Sequence, residues 1–450
     1  MEIITKNNIK KYSTYKNSGV EWLGEIPEHW EVVKLKYLSE IFNGDSLNES
    51  LKKKYESDDL SHLAYISSKD INVNNSVITY NNGLRIPKDN IKLKIAPKNS
   101  SLLCIEGGSA GRKIAFTNQE VCFVNKLACF SIKKDNNPQY LFFTLKSNPF
   151  QIQFKSSMSG MIGGVAISSI NNFIIPIPPL SEQTKIAEFL DDKTKKIDEA
   201  IAIKTQQINL LKERKQILIH KAVTRGLDTN VKLKNSGVEW IGEIPVGWEV
   251  KKIKHIANIQ GGFAFNSGNF IDEGIQIIKI ANTYMNKLSL DRQPTFVNKS
   301  YLTSHKDWIV SKNDILMSLT GTLGKKDYGF AILIEDNEKY LLNQRVAKIT
   351  VKDGFEPEYL IHLLRSDSYL NQLYCLPSGT KQANLSNDNV INITMPIPPL
   401  KERIKISSYI EKSSEKIARA IGLKSEEIEK LKEYKSSLIN SVVTGKVRVC

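Results

Sequence analysis

The sequence predicts an α+β (mixed α/β) chain. It reads as two domains with twisted sheets, joined by two long helices that form an antiparallel coiled coil in a pseudo-two-fold internal duplication. Three observations lead there. NSGVEWLGEIPEHWEVVKLK at Asn17–Lys36 returns as NSGVEWIGEIPVGWEVKKIK at Asn235–Lys254, with 15 of 20 positions identical and no gap. PIPPLSEQTKIAEFL, from Pro176 to Leu190, returns as PIPPLKERIKISSYI, from Pro396 to Ile410. Each Pro-rich segment is followed by a run with apolar residues at seven-residue spacing. A repeat of whole segments in one order implies one architecture used twice.

The elements follow in chain order. Residues 1–16 form a basic extension, and residues 17–180 a first domain that opens with the Trp-containing box. Trp22, Trp30, Trp240 and Trp248, with Pro27 and Pro245, are expected to pack as rigid struts where each domain begins. After the box, β-like alternation (AYISSKDINV, SVITY, CFVNKLACFSI) is broken by Asn/Gly turns. A helical pattern, PQYLFFTLKSNPFQIQFK, precedes the hinge. Residues 226–400 repeat this order as a second domain, with IQIIKIANTYM, DILMSL, GFAILIE and PEYLIHLLRSDSYLNQLY.

Proline cannot continue inside a helix, so the long helices start just after PIPPL and run over 181–225 and 401–446. The first seam is Thr194, Ile197, Ile201, Lys204, Ile208, Leu211, Lys215, Leu218 and Ala222. The second is Ser414, Ile417, Ile421, Lys424, Ile428, Leu431, Lys435, Leu438 and Val442. Lysine interrupts both at the same two places, as register-setting polar residues do in a coiled coil. The alternative is two amphipathic helices, each packed on its own domain. A paired helix of this length spans on the order of 65 Å and acts as a spacer.

Bulk properties narrow the function. The chain has 450 residues, 41% hydrophobic and 25% charged, with a formal net charge of +15. Such an excess of cations favours a polyanionic partner. No apolar run approaches the roughly 20 residues of a membrane helix, and the N-terminus lacks a signal-peptide pattern, so a cytoplasmic protein is expected. The five cysteines form no CxxC pair and the six histidines are scattered, so no disulfide framework and no metal are expected.

Catalytic motifs are sought without success. Asn148-Pro149-Phe150 lacks the second proline of an adenine methyltransferase loop and is read as a loop at the end of a helix; Pro178-Pro179-Leu180 lacks Asn and an aromatic. Neither Gly107–Lys113 nor Thr320–Lys326 fits a phosphate loop.

These two Gly-rich turns are instead candidate DNA contacts. Each follows an apolar strand and ends in two cations, Arg112 and Lys113 or Lys325 and Lys326, that suit phosphates. A tight turn with solvated cations is the alternative. Ser378–Asn384 carries Lys381, Gln382 and Asn384, which suit base edges: Lys for guanine, Gln or Asn for adenine. The matching first-half stretch, Ser159–Val165, has no Gln or Asn. The third candidates are Lys52 and Lys53, within a lysine run that also reads as a solvated face, and Asn266 in QGGFAFNSGNF.

The paired box, the paired PIPPL hinge and the duplicated layout resemble the specificity subunit of type I restriction–modification systems, over about Asn17 to Lys446. The loop at Ser378–Asn384 is similar to a Gly-Ser/Thr-x-Gln-x-Asn loop of that family. The resemblance implies two target-recognition domains on an antiparallel coiled coil, reading a bipartite, asymmetric site in double-stranded DNA. It also implies two methylation subunits using S-adenosylmethionine and two restriction subunits using ATP and Mg²⁺, with no cofactor in this chain. The Trp box would then also serve as part of a surface for a methylation subunit. No tandem repeat stands between Thr184 and Arg225, so the spacing of the half-sites is not legible. Two rival readings remain: a single-chain methyltransferase, and a coiled-coil scaffold or DNA-binding protein working outside such a complex.

Overall fold

Each Trp-containing box folds first into a two-stranded hairpin, Tyr15–Asn17 with Glu25–Pro27 and Leu233–Asn235 with Glu243–Pro245. The computed structural model describes residues 10–88, 92–133, 135–160, 163–376 and 381–449. It divides into a first unit, Met1–Thr205 with Ser425–Cys450, and a second, Gln206–Lys424, so both long helices contribute to both units.

In the first unit the box continues into Glu31–Lys34, which pairs antiparallel with the hinge strand Ile174–Ile177. The start of the domain is thereby tied to its end. Between them lie two four-stranded sheets. One is wholly antiparallel, in the order Ser39–Asn43, Leu127–Ile132, Ser101–Cys104, Ile114–Phe116. The other runs Arg85–Ile86, Leu63–Ile66, Val121–Phe123, Ile95–Ala96, with its two central strands parallel. Every residue of those central strands is buried, as expected of a strand covered on both faces. Helices Pro138–Leu145 and Asn148–Ser156 follow; Asn137 caps the first by accepting from the Gln139 and Tyr140 amides.

The second unit repeats these sheets and adds two strand pairs, Thr283–Tyr284 with Lys287–Leu288 and Thr320–Thr322 with Gln382–Asn384. Glu249–Lys252 pairs with Thr394–Ile397. The antiparallel sheet is Ala257–Gly261, Val346–Val351, Ile315–Ser318, Ala331–Leu333, and the mixed sheet is Phe296–Val297, Ile275–Ile278, Tyr340–Leu342, Ile309–Val310. Helices Pro357–Leu364 and Asp367–Tyr374 complete it.

The long helices are Leu180–Arg225 and Leu400–Val443. In the first unit Asp198 meets Lys435 and Lys204 meets Glu427. Numbering rises along one helix as it falls along the other, so the pairing is antiparallel. In the second unit Lys424 Nζ donates to Gln207 at 2.7 Å, while Glu402 receives the Trp248 indole beside the end of the first helix; the sense is the same. Along the first seam Ile197 is buried and Ile201, Ile208, Leu211 and Leu218 are half-buried. Along the second, Ile417, Ile428 and Leu438 are buried, with Ile421 and Leu431 half-buried. Three of the four seam lysines find a partner on the other helix: Lys435 with Asp198, Lys204 with Glu427, Lys424 with Gln207.

Several details differ from the sequence reading. Trp30 and Trp248 are buried, but Trp22 and Trp240 are 43% and 44% exposed, so only one tryptophan of each box is a strut. The second helix ends at Val443, because Gly445 takes φ +72° and turns the chain. Residues from Lys10 onward belong to the first unit: Tyr12 is buried, and Lys10 bridges antiparallel to Arg448. Asn148 opens a helix, after Ser147, instead of ending one. Cys104, Cys122 and Cys129 are buried free thiols and Cys375 is exposed; burial pushes Cys122 and Cys129 up to about 12. Among the described residues no helix is long and apolar enough to cross a membrane.

Candidate nucleic-acid interface

In the second unit two of the candidate stretches become one ribbon. Thr320–Thr322, in the Gly-rich turn, pairs antiparallel with Gln382–Asn384, with Thr320 opposite Asn384 and Thr322 opposite Gln382. Side chains alternate across a strand. Ala383 is buried, so Gln382 and Asn384 share the exposed face. Lys381, Lys325 and Lys326 are exposed at the same end. Burial opposes ionisation of Asp327, but the Thr322 amide and hydroxyl hold its carboxyl below its usual range and fix the turn. Lys326 lies 5.4 Å above the Tyr374 ring, whose hydroxyl is pushed up to about 12 by burial. Ser378, Gly379 and Thr380 of this candidate lie outside the described residues.

The first unit has the same arrangement in reduced form. Glu106 bridges Gly164, and the Gly107 amide donates to the Gly163 carbonyl at 2.9 Å, so Gly107–Lys113 again meets the stretch before the hinge. Met161 and Ile162 lie outside the described residues. Arg112 is exposed and its guanidinium folds back onto the Gly108 carbonyl, while Lys113 donates to the Ser68 carbonyl.

The remaining candidates sit elsewhere. Lys52 and Lys53 lie on the short helix Glu49–Lys54, where Lys52 pairs with Glu49 at 2.6 Å and Lys53 is solvated. Asn266 is exposed, but its carbonyl oxygen accepts the Gly268 amide at 2.9 Å. Its neighbours Phe263 and Phe265 join Tyr301, His305 and Trp308 in a half-buried ring cluster.

One segment was missed by sequence reasoning. In both units a turn between two core strands lies against the ribbon. In the second unit the Leu319 amide donates to the Arg345 carbonyl at 3.0 Å and the Leu385 amide donates to the Leu319 carbonyl at 2.9 Å. In the first, the Ile105 amide donates to Lys126 at 2.9 Å and the Val165 amide to Ile105 at 3.0 Å. The layer is therefore 345–319–385 in one unit and 126–105–165 in the other. The available signal was the match of FVNKLACFSI with LLNQRVAKITV, in which Asn125-Lys126 and Asn343-Gln344-Arg345 interrupt two apolar runs.

The family model for the type I restriction modification DNA specificity domain matches residues 27–213 and again 245–432. The chain belongs to the type I restriction–modification DNA specificity family. It is a specificity subunit, the sequence-recognising and non-catalytic part of a type I complex. The MjaVIII specificity subunit of Methanocaldococcus jannaschii is 27% identical over 430 residues, covering 94% of this chain and 94% of its own. The EcoKI specificity subunit of Escherichia coli is 23% identical, over 86% of this chain and 82% of its own. Among solved structures, one described for complex assembly and conformational transition of the type I R-M system aligns with a TM-score of 0.71 at 14% identity, over 93% of this chain and 98% of its own. The HsdS subunit from Thermoanaerobacter tengcongensis aligns with a TM-score of 0.50 at 15% identity, over 94% and 98%. At these identities the structural likeness speaks for the fold of the specificity subunit.

Proposed function

We propose that each unit of this specificity subunit reads one part of a bipartite, asymmetric DNA site. The recognition domains are assigned to 17–180 and 226–400, and the spacer to the two long helices that follow them, the second ending at Val443. The observation that carries this reading is the three-segment layer: both units build it with the same backbone hydrogen bonds, yet they furnish it with different side chains. A shared frame with unlike faces suits two unlike half-sites, whereas identical half-sites would favour identical faces. Lys381, Gln382 and Asn384 are assigned to base edges, and Arg112, Lys325 and Lys326 to phosphates.

The partners in this reading are double-stranded DNA, two methylation subunits that take S-adenosylmethionine, and two restriction subunits that take ATP and Mg²⁺. This chain positions DNA for them and directs adenine methylation or restriction. The test is reconstitution. Expressed with its methylation subunits in a host free of adenine methylation, the chain is expected to impose methylation at one two-part motif. Methylation that appears equally without this chain, or at an uninterrupted palindrome, would overturn the proposal.

A further inference from the structure

The turn that sequence reasoning missed lies in the same layer as the ribbon, and its backbone is held from several segments. In the second unit it runs Leu342-Asn343-Gln344-Arg345-Val346 between the strands Tyr340–Leu342 and Val346–Val351, whose ends at the turn are buried. The backbone bonds that hold it include Phe263 to Leu342 at 2.8 Å, Asn343 to Ile278 at 3.0 Å, Gln344 to Phe263 at 3.1 Å, Gly262 to Val346 at 3.1 Å, Val346 to Asn343 at 3.0 Å, and Leu319 to Arg345 at 3.0 Å. The approach is so close that a Cβ on Gly262 would stand 2.0 Å from the Asn343 carbonyl oxygen. Gly44 makes the matching approach to Phe123 in the first unit, where its Cβ would stand 1.9 Å from that carbonyl oxygen.

From this pinned backbone two side chains are exposed, Gln344 and Arg345, and neither has a side-chain partner among the described residues. That is unusual company for a rigid turn whose flanking residues are all core. Two strand spacings of about 4.8 Å separate the turn from the strand carrying Gln382 and Asn384, roughly 10 Å in all. That width fits within a major groove of about 12 Å and spans about three base-pair steps.

We propose that Gln344 and Arg345 are specificity-determining residues that read base edges in the major groove, Arg345 a guanine and Gln344 an adenine. This rests on the DNA-reading function proposed above. The geometry favours base readout over phosphate contact. A phosphate contact needs only a cation, as Lys325 and Lys326 supply, whereas bidentate recognition of guanine O6 and N7 or adenine N6 and N7 needs a planar group on a fixed backbone. The first unit offers a different pair at the same place. Lys126 is exposed and lies 3.5 Å from Glu106. The two heads therefore differ at this turn in the way that unlike half-sites require.

The test uses Gln344→Ala, Arg345→Ala and Arg345→Lys in the full chain, assembled with its methylation subunits, with methylated bases in the host genome mapped at single-base resolution. Wild type read in the same experiment must give a two-part motif; if it does not, the functional reading fails and not this one. Given a wild-type motif, each variant is expected to relax one base position in one half-site, losing tenfold or more in discrimination there, with the other half-site unchanged. Arg345→Lys is expected to behave like Arg345→Ala, because the charge without the planar fork does not restore guanine readout. Uniformly reduced methylation at an unchanged motif, restored by Arg345→Lys, would overturn the proposal in favour of a phosphate contact. An unchanged motif at unchanged level would remove the turn from the interface. Thermal unfolding of the three variants should match wild type, since the substitutions touch only exposed side chains.

Discussion

Substitution of Glu182 by Ala should loosen the first unit more than the equivalent Glu402→Ala loosens the second. Glu182 stands in the first turn of the first long helix. Its Oε2 accepts from the Trp30 indole at 3.1 Å and the Tyr12 hydroxyl at 3.0 Å, and its Oε1 meets His29 Nε2 at 2.6 Å. Among the described residues Glu402 receives only the Trp248 indole, at 2.9 Å. Trp30 is wholly buried, so its N–H cannot turn to water, and leaving it unpaired costs about 1–3 kcal/mol. Losing the Tyr12 and His29 bonds adds about 1 kcal/mol, since the half-exposed His29 can be hydrated instead. The expected loss is about 2–4 kcal/mol for Glu182→Ala and about 1–3 kcal/mol for Glu402→Ala; Glu182→Gln, which keeps an acceptor, should cost about 1 kcal/mol. Burial opposes ionisation of Glu182, but His29, Trp30 and Tyr12 hold its carboxyl below 4.5. A depressed carboxylate stabilises above its unfolded value, and the stabilisation is lost as pH falls through the folded one. The difference between wild type and variant should therefore narrow as pH falls below 4.5, the carboxyl's ordinary value. Hydrogen exchange of peptides covering 26–34 and 174–190, against 244–252 and 394–410, reads the two units separately, which a single melting curve does not. A Glu182→Ala effect no larger than that of Glu402→Ala, or one below about 0.5 kcal/mol, would refute this account of the clasp.

Asp198→Ala strands the nearly buried Lys435 ammonium, which now contacts both carboxylate oxygens at 2.6 and 2.7 Å, and should cost about 3–5 kcal/mol; Asp198→Leu with Lys435→Met should recover most of it in the same exchange experiment. Burial, aided by Lys435 and opposed by Asp198, pulls Lys146 down to about 7. The folded chain therefore releases that proton first, and stability should rise from about pH 7 towards 10.5. Lys146→Met should remove this rise from a series of thermal melts. Lys325→Ala with Lys326→Ala should weaken DNA binding about equally for all sequences and reduce the log–log salt slope by about 2 in a titration of the methyltransferase complex.

What the sequence made legible follows from where physics is local or repeated. The long helices were readable because proline starts them and a seven-residue spacing continues them. The duplication was readable because the box and hinge hardly changed. The split between Trp30 and Trp22 was not readable: both stand in the same repeated segment, and only the carboxylate of Glu182, 152 residues further on, distinguishes the buried indole. Gln382 and Asn384 stood out by residue type, and Thr320–Lys326 by its glycines, but their pairing in one ribbon depends on tertiary contacts across some sixty residues of intervening chain. Gln344 and Arg345 were passed over because two polar residues between strands look like any turn. What marks them is the glycine at 262, whose missing Cβ lets another segment fix that turn.

The most direct test of the central claim is to map methylated bases across the host genome with this gene present and deleted. One motif, made of two unlike parts separated by unread base pairs, is expected to vanish on deletion. An unchanged methylome in a host whose methylation subunits are expressed and active, or the loss of a single uninterrupted motif, would contradict it.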